Sequence, residues 1–312
     1  MSIAANILRP MAIRLTAANG TLLPHELAVW YPKCPQTFVG TNAYYGISTT
    51  NVRFFDCSGG TQAMNLRHVD LFKALVVNLL RSNVAEWTLN ISLEPLEKVF
   101  PFVYVGQHWD LLAKLAAEIH GFQTTVRNDS SRKSLRVIIR YASEMNDTAA
   151  DEHGKIYSTY AGEPAAFRET FRAVRTVFAD AAPLVQFAFS PAIRKDLPEA
   201  AIAAYWPGDD VVDIVSGTWY VGDEDQFAGA LANFTAHFRR WKNSGKPFGI
   251  DEFGGCRTLN RDTPNETGDQ NDAFLQRMSG AIADLAAEGI GFQYASIFVN
   301  AKWGADAVLD WV

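Results

Sequence analysis

Residues 134–146 read SLRVIIRYASEMN, a nearly unbroken run of apolar and β-branched side chains closed by a carboxylate at Glu144. A run this apolar predicts a strand of a parallel sheet covered on both faces. On its N-terminal side, WDLLAKLAAEIH (109–120) predicts a helix ending at Gly121. WTLNISLEP (87–95) predicts a strand, and VDLFKALVVNLLRS (69–82) a buried helix before it. On the C-terminal side, Pro164 suits the first turn of a helix over 164–180 that sets Phe167, Phe171, Val174 and Phe178 on one face. LVQFAFS (184–190), a helix around 197–204 and VVDIVSGTWY (211–220) follow. Phe227, Leu231, Phe234, Phe238 and Trp241 then recur at helical spacing, before KPFGIDEFGG (246–255), a helix at about 270–288 and GFQYASIFV (291–299).

Repeated strand–helix units with apolar strands leave two architectures, an open doubly wound sheet or a closed (β/α)8 barrel. No GxGxxG or GxxxxGK[ST] follows any strand, which removes the usual signature of the nucleotide-binding open sheets. The polar signals sit at the carboxyl ends of strands, where barrel active sites are built. The expectation is an α/β fold, a (β/α)8 TIM barrel forming a single domain over 1–312. The first 65 residues are irregular: HELAVWYP (25–32) and NVRFFD (51–56) read as strands, without a helical pattern between them.

Composition narrows the function classes. A chain of 312 residues, 48% hydrophobic and 20% charged, is neither disordered nor fibrous. A net charge of −6 without a basic run argues against nucleic acid as a partner. No apolar run is long enough to span a bilayer, and MSIAANILRPMAIRLTAANG at the start lacks the apolar core of a signal peptide. Cys34, Cys57 and Cys256 lie far apart, and the histidines lack metal-binding spacing, so no metal or other cofactor is expected. His108 and His120 at helix ends, and Asp209 and Asp210 before a strand, read as capping and loop residues.

Two glutamates close strands. Period-two alternation sets Arg140, Ala142 and Glu144 on one face, and Phe248, Ile250 and Glu252 on another. With both faces turned inward, the carboxyl groups converge at the top of a barrel. Glycoside hydrolysis needs such a pair, one to protonate the leaving oxygen and one to attack or to activate water. Strand-end acids also cap helices or hold surface arginines, and position alone leaves both readings open.

The words around these glutamates resemble family 26 of the glycoside hydrolases. IIRYASEMN is similar to that family's R-x-x-H-E-M-N acid/base segment, and KPFGIDEFG to its KP-x-x-I-x-E-x-G nucleophile segment. YWPGDDVVDIVSGTWY (205–220) resembles its YPGDDYVDW…GY stretch, LNISLEP its third strand, YAGEPAAFRETFRAV the helix after the acid/base loop, and FVNAKWGADAVLDW the eighth strand and loop. The likeness covers roughly residues 87–312 in order. It implies a retaining (β/α)8 glycosidase with Glu144 as general acid/base and Glu252 as nucleophile. Arg140 and Tyr220 would serve Glu252, while Ser143, Asn146, Trp219 and Trp303 would line the substrate cleft.

The chain departs from the family pattern at Ser143, which replaces the histidine before the acid/base. It departs again after Asn146, where DTAADEHGKIYSTY replaces the common Trp-Tyr-Pro-Trp. The aromatic wall that suits β-mannan is therefore absent or supplied from elsewhere in the chain. The resemblance therefore implies retaining endo-hydrolysis of a β-linked polysaccharide, whether mannan-like, β-glucan, xylan or microbial exopolysaccharide. It also implies a monomeric, secreted or periplasmic protein. A non-catalytic carbohydrate-binding barrel, and a polysaccharide lyase with Tyr220 as base, are the alternatives.

Overall fold

The structure is a computed structural model that describes residues 26–30, 51–56, 86–93, 101–129, 134–148, 158–221, 224–255 and 268–297. The strands are β1 (Glu26–Trp30), β2 (Asn51–Asp56), β3 (Glu86–Leu93), β4 (Ser134–Tyr141), β5 (Gln186–Phe189), β6 (Ile214–Val215), β7 (Thr218–Val221), β8 (Phe248–Gly255) and β9 (Phe292–Ile297). The helices are α1 (Pro101–Asn128), α2 (Pro164–Ala181), α3 (Glu199–Ala203), α4 (Glu224–Arg240) and α5 (Gly268–Ala287).

Every described pairing is parallel, and the order β1–β2–β3–β4–β5–β6–β8–β9 returns to β1, so the sheet closes. The segment 211–220, expected as one strand, divides into β6 and β7, which together form the sixth stave. β6 bridges β5 to β8, and β7 continues along β8 above it, with Thr218 opposite Glu252. This is the TIM barrel expected from the strand–helix alternation, with HELAVWYP and NVRFFD supplying its first two staves.

Two apolar layers hold the barrel. The larger lies between the strands and the helices, where Phe167, Phe171, Val174 and Phe178 of α2 are fully buried against Phe187 and Phe189 of β5. Burying each such phenylalanine contributes roughly 1.5–3 kcal/mol. The second layer is inside the barrel, where Ile138, Ala188, Ile214 and Tyr294 form a separate cluster. Gly249 is required there: a Cβ on it would lie 2.3 Å from Tyr294 Cζ.

Two boundaries differ from the sequence reading. α1 does not end at Gly121 but runs from Pro101 to Asn128. Gly121 sits on an exposed turn where a Cβ would meet nothing within 4 Å, so this glycine terminates nothing. β4 ends at Tyr141 rather than running on to 146, and Glu144 therefore lies in a turn beyond the strand. The helix expected over 69–82 lies outside the described residues.

Candidate active site

Glu144 is delivered by a strained turn. Ala142 and Glu144 have φ of 47° and 57°, and they are the non-glycine residues with positive φ among those described. Left-handed backbone costs a residue with a side chain roughly 1–3 kcal/mol and persists only where neighbours over-determine it. Here Ala142 N–H donates to Leu93 O, Glu144 N–H to Ser190 O, and Asp147 N–H to Glu144 O, each at 2.8 Å. Ser158 Oγ donates to Met145 O at 2.8 Å, and Arg194 pairs with Asp147 at 2.6 Å. Asn146 clamps the end of the turn: its Nδ2 donates to Ala192 O at 2.9 Å, and its Oδ1 accepts from Ala192 N–H at 2.8 Å.

Glu252 reaches the interior by a different route from the one alternation implies. Phe248 and Ile250 belong to the outer core against the helices. Between Ile250 and Phe253 the register with β9 slips: Ile250 pairs with Ala295, whereas Phe253 pairs with Ile297. Three steps on β8 thus oppose two on β9, a bulge that turns consecutive residues toward one side. Asp251 faces the barrel's polar interior by alternation from Ile250, and the bulge brings Glu252 to the same side. Period two cannot see an inserted residue, so the face assigned to Phe248, Ile250 and Glu252 is corrected.

Arg140 Nη2 donates to Glu252 Oε1 at 2.7 Å, with the arginine side chain fully buried and the glutamate 6% exposed. Thr218 Oγ1 donates to Glu144 Oε1 at 2.6 Å. The two carboxyls thereby differ in surroundings. Burial and the charge of Glu252 push Glu144 up to about 7, against the pull of the Thr218 hydrogen bond. Glu252 instead has a guanidinium as its counter-ion. An acid that keeps its proton near neutrality beside an ion-paired carboxylate is the division of labour that glycoside hydrolysis uses.

The remaining expected site residues separate. Ser143 lies half-buried in the turn between the two left-handed residues. Asn146 holds the Ala192 backbone through both ends of its amide, and so helps to position the turn. Trp219 is corrected as well. It is fully buried and stacked on Phe234 of α4 with centroids 4.4 Å apart, so it packs stave to helix instead of lining a cleft. The backbone of Tyr220 pairs with Gly254, while its side chain, like Trp303, lies outside the described residues. Asp209 and Asp210 hold the loop, accepting from Trp206 Nε1 at 3.0 Å and pairing with Arg172 at 2.6 Å.

Sequence reasoning passed over Thr218, Asp251, Ser216 and Tyr294. Tyr294 OH donates to Asp251 Oδ1 at 2.8 Å, and Ser216 Oγ donates to Oδ2. Thr218 was within reach of the sequence, since it stands two places before Tyr220 on a barrel stave. Asp251 was not, because assigning Glu252 to the inner face put its neighbour on the outer one. Among the described residues no group of histidine, cysteine and acidic side chains is arranged to hold a metal ion. No described helix is long and apolar enough to cross a membrane.

The closed barrel is a fold that solved structures share. The chain matches a family 26 β-mannanase from Bacteroides ovatus at TM-score 0.62 and 10% identity, over 99% of this chain and 90% of that one. The catalytic domain of an endo-β-1,4-mannanase of the same family from Bacillus sp. JAMB-750 matches at TM-score 0.64 and 14% identity, over 98% and 83%. A modular endo-β-1,4-mannanase from Cellulomonas fimi matches at TM-score 0.63 and 14% identity, over 98% and 72%. The chain has the fold of the family 26 glycoside hydrolases in a highly diverged sequence. No protein-family model and no curated protein sequence matches it.

Proposed function

We propose that the protein is a retaining endo-β-glycanase. The observation that carries this reading is the asymmetry of the two glutamates, Glu144 held up to about 7 and Glu252 paired to a buried arginine. Glu144 enters the reaction protonated. Glu252 attacks the anomeric carbon as the bond to the leaving oxygen breaks and Glu144 gives that oxygen its proton. Glu144, now a carboxylate, takes a proton from water, which attacks the same carbon and releases Glu252. The Thr218 hydroxyl fixes Glu144 through one oxygen and leaves the other for this proton traffic.

The substrate is a β-linked polysaccharide. The structural neighbours are named as mannanases, which sets β-1,4-mannan among the candidates. Ser143 stands in place of the histidine of the mannanase pattern, and the segment after Asn146 lacks its Trp-Tyr-Pro-Trp, which favours a different backbone sugar, a β-glucan, xylan or microbial exopolysaccharide. Tyr220 and Trp303 are assigned to the cleft, Tyr220 beside Glu252 and Trp303 under the sugar ring. A polymeric substrate places the enzyme outside the cytoplasm. Incubation with a panel of plant and bacterial polysaccharides, with new reducing ends as readout, tests the reading. Activity on one of them that Glu252→Gln abolishes supports it; activity unaffected by Glu252→Gln overturns it.

A further inference from the structure

The parallel ladder that carries Thr218 has a rung that the main chain cannot make. Ser216 N–H donates to Phe189 O and Thr218 N–H to Pro191 O, each at 2.9 Å, and Ile193 N–H donates to Thr218 O at 2.9 Å. In this alternation the Ser216 carbonyl would accept the N–H of residue 191, and Pro191 has none. The donor comes instead from outside the barrel. His237 of α4 is fully buried, and its Nε2 lies 3.0 Å from Ser216 O. A carbonyl oxygen only accepts, so Nε2 carries the proton. Nδ1 is buried with no hydrogen-bond partner among the described residues, where a second proton would be stranded. The ring is therefore neutral, in keeping with the burial that holds His237 down at about 4.

The buried face of α4 around His237 is aromatic, with Phe234 and Phe238 fully buried. Ring centroids lie 5.0 Å from Phe238 and 6.3 Å from Phe189, so a phenylalanine at 237 would fill the same place. It would leave the buried Ser216 O without the donor that Pro191 fails to supply. That carbonyl belongs to the peptide joining Ser216 to Gly217, and the soft dihedrals of glycine let this plane turn unless a hydrogen bond fixes it. Thr218 follows at once, with its hydroxyl on Glu144 Oε1 at 2.6 Å. We infer that His237 is a positioning residue: it supplies the missing rung, fixes the Ser216–Gly217 peptide, and so sets the aim of the Thr218 hydroxyl at Glu144. This role rests on Glu144 being the acid/base of the proposed glycanase.

The titration of Glu144 tests this directly, read by NMR on the whole chain isotope-labelled at the glutamate carboxyl carbons, with the signal assigned by its loss in Glu144→Gln. His237→Phe keeps the ring and removes the donor. A weakened Thr218 hydrogen bond favours the protonated carboxyl, so the Glu144 midpoint should rise from about 7 by about half a pH unit or more, with Glu252, Asp147 and Arg140 still around it. His237→Gln keeps a donor and should hold the wild-type midpoint. Pro191→Ala restores the main-chain N–H, so the double variant His237→Phe/Pro191→Ala should return to the wild-type midpoint. The restored rung also keeps the test open if His237→Phe alone does not fold. An unmoved midpoint in folded His237→Phe, a midpoint in His237→Gln that moves as far as in His237→Phe, or a double variant that neither folds nor returns overturns the role of His237 alone. A wild-type midpoint in the ordinary glutamate range, or one that Thr218→Val does not move, overturns the reading of Glu144 and this role with it.

Discussion

Thr218 links the two glutamates: its hydroxyl donates to Glu144 Oε1 at 2.6 Å while its backbone stands opposite Glu252 in the β7–β8 register. One residue therefore spans the turn that follows β4 and the strand that carries the second carboxylate. The link also opposes the upward push on Glu144, since a hydrogen bond to a carboxylate favours the ionised form.

Thr218→Val keeps the shape and removes that donor. Glu144 should then hold its proton to higher pH, and the basic limb of the kcat/KM profile should move upward by about one pH unit. The stability cost should stay near 1 kcal/mol, the net worth of one such hydrogen bond. A basic limb that stays in place would show that Glu144 is not the group that limits activity at high pH.

Stability should carry the same signature. Glu144 is raised from 4.5 in the unfolded chain to about 7 in the folded one, so between these values the folded state binds the extra proton. Its contribution is therefore most favourable below pH 4.5 and is lost as pH rises through 7, by roughly 3 kcal/mol. Glu144→Gln removes the titration. Denaturant melts at several pH values should find the variant more stable than wild type at pH 8, with the gap closing toward pH 5. A constant gap would contradict the raised value.

Much of this was legible in the sequence, for identifiable reasons. Phe167, Phe171, Val174 and Phe178 lie at helical spacing and are all buried, because a single face of α2 meets the barrel. The staves were legible because parallel barrel strands are apolar on both sides. Glu252 and Glu144 stood out as acids at the ends of strand patterns, yet the backbone route of each was misread. Alternation assumes an unbroken strand, whereas β8 contains a bulge and β4 gives way to a left-handed turn before Glu144. Long-range partners such as Thr218 for Glu144, 74 residues apart, leave no local periodic trace.

Asn146→Ala should separate positioning from binding. The variant loses two hydrogen bonds to Ala192 and should be less stable by about 2 kcal/mol. Because the turn carries Glu144, kcat should fall while KM changes little. A large rise in KM at unchanged kcat would return Asn146 to the substrate side.

Trp219 gives the converse case. Trp219→Leu leaves a cavity against Phe234 and should cost about 3 kcal/mol in a melt. At a temperature where the variant is folded, KM for the polysaccharide should match wild type within a factor of about two, since a shift in KM of that size is well under 1 kcal/mol. A tenfold change would place the indole in the cleft.

The central claim is the division of roles between Glu144 and Glu252, and azide rescue on an activated aryl β-glycoside tests it most directly. In Glu144→Ala the nucleophile is intact and the leaving group needs no proton, so azide should intercept the glycosyl-enzyme and give the β-glycosyl azide. In Glu252→Ala azide should attack the anomeric carbon from the vacated face and give the α-glycosyl azide. The product's anomeric configuration, read by NMR, does not depend on knowing the natural polysaccharide. An α-azide from Glu144→Ala and a β-azide from Glu252→Ala would reverse the roles, and full activity without azide in both variants would contradict the catalytic pair.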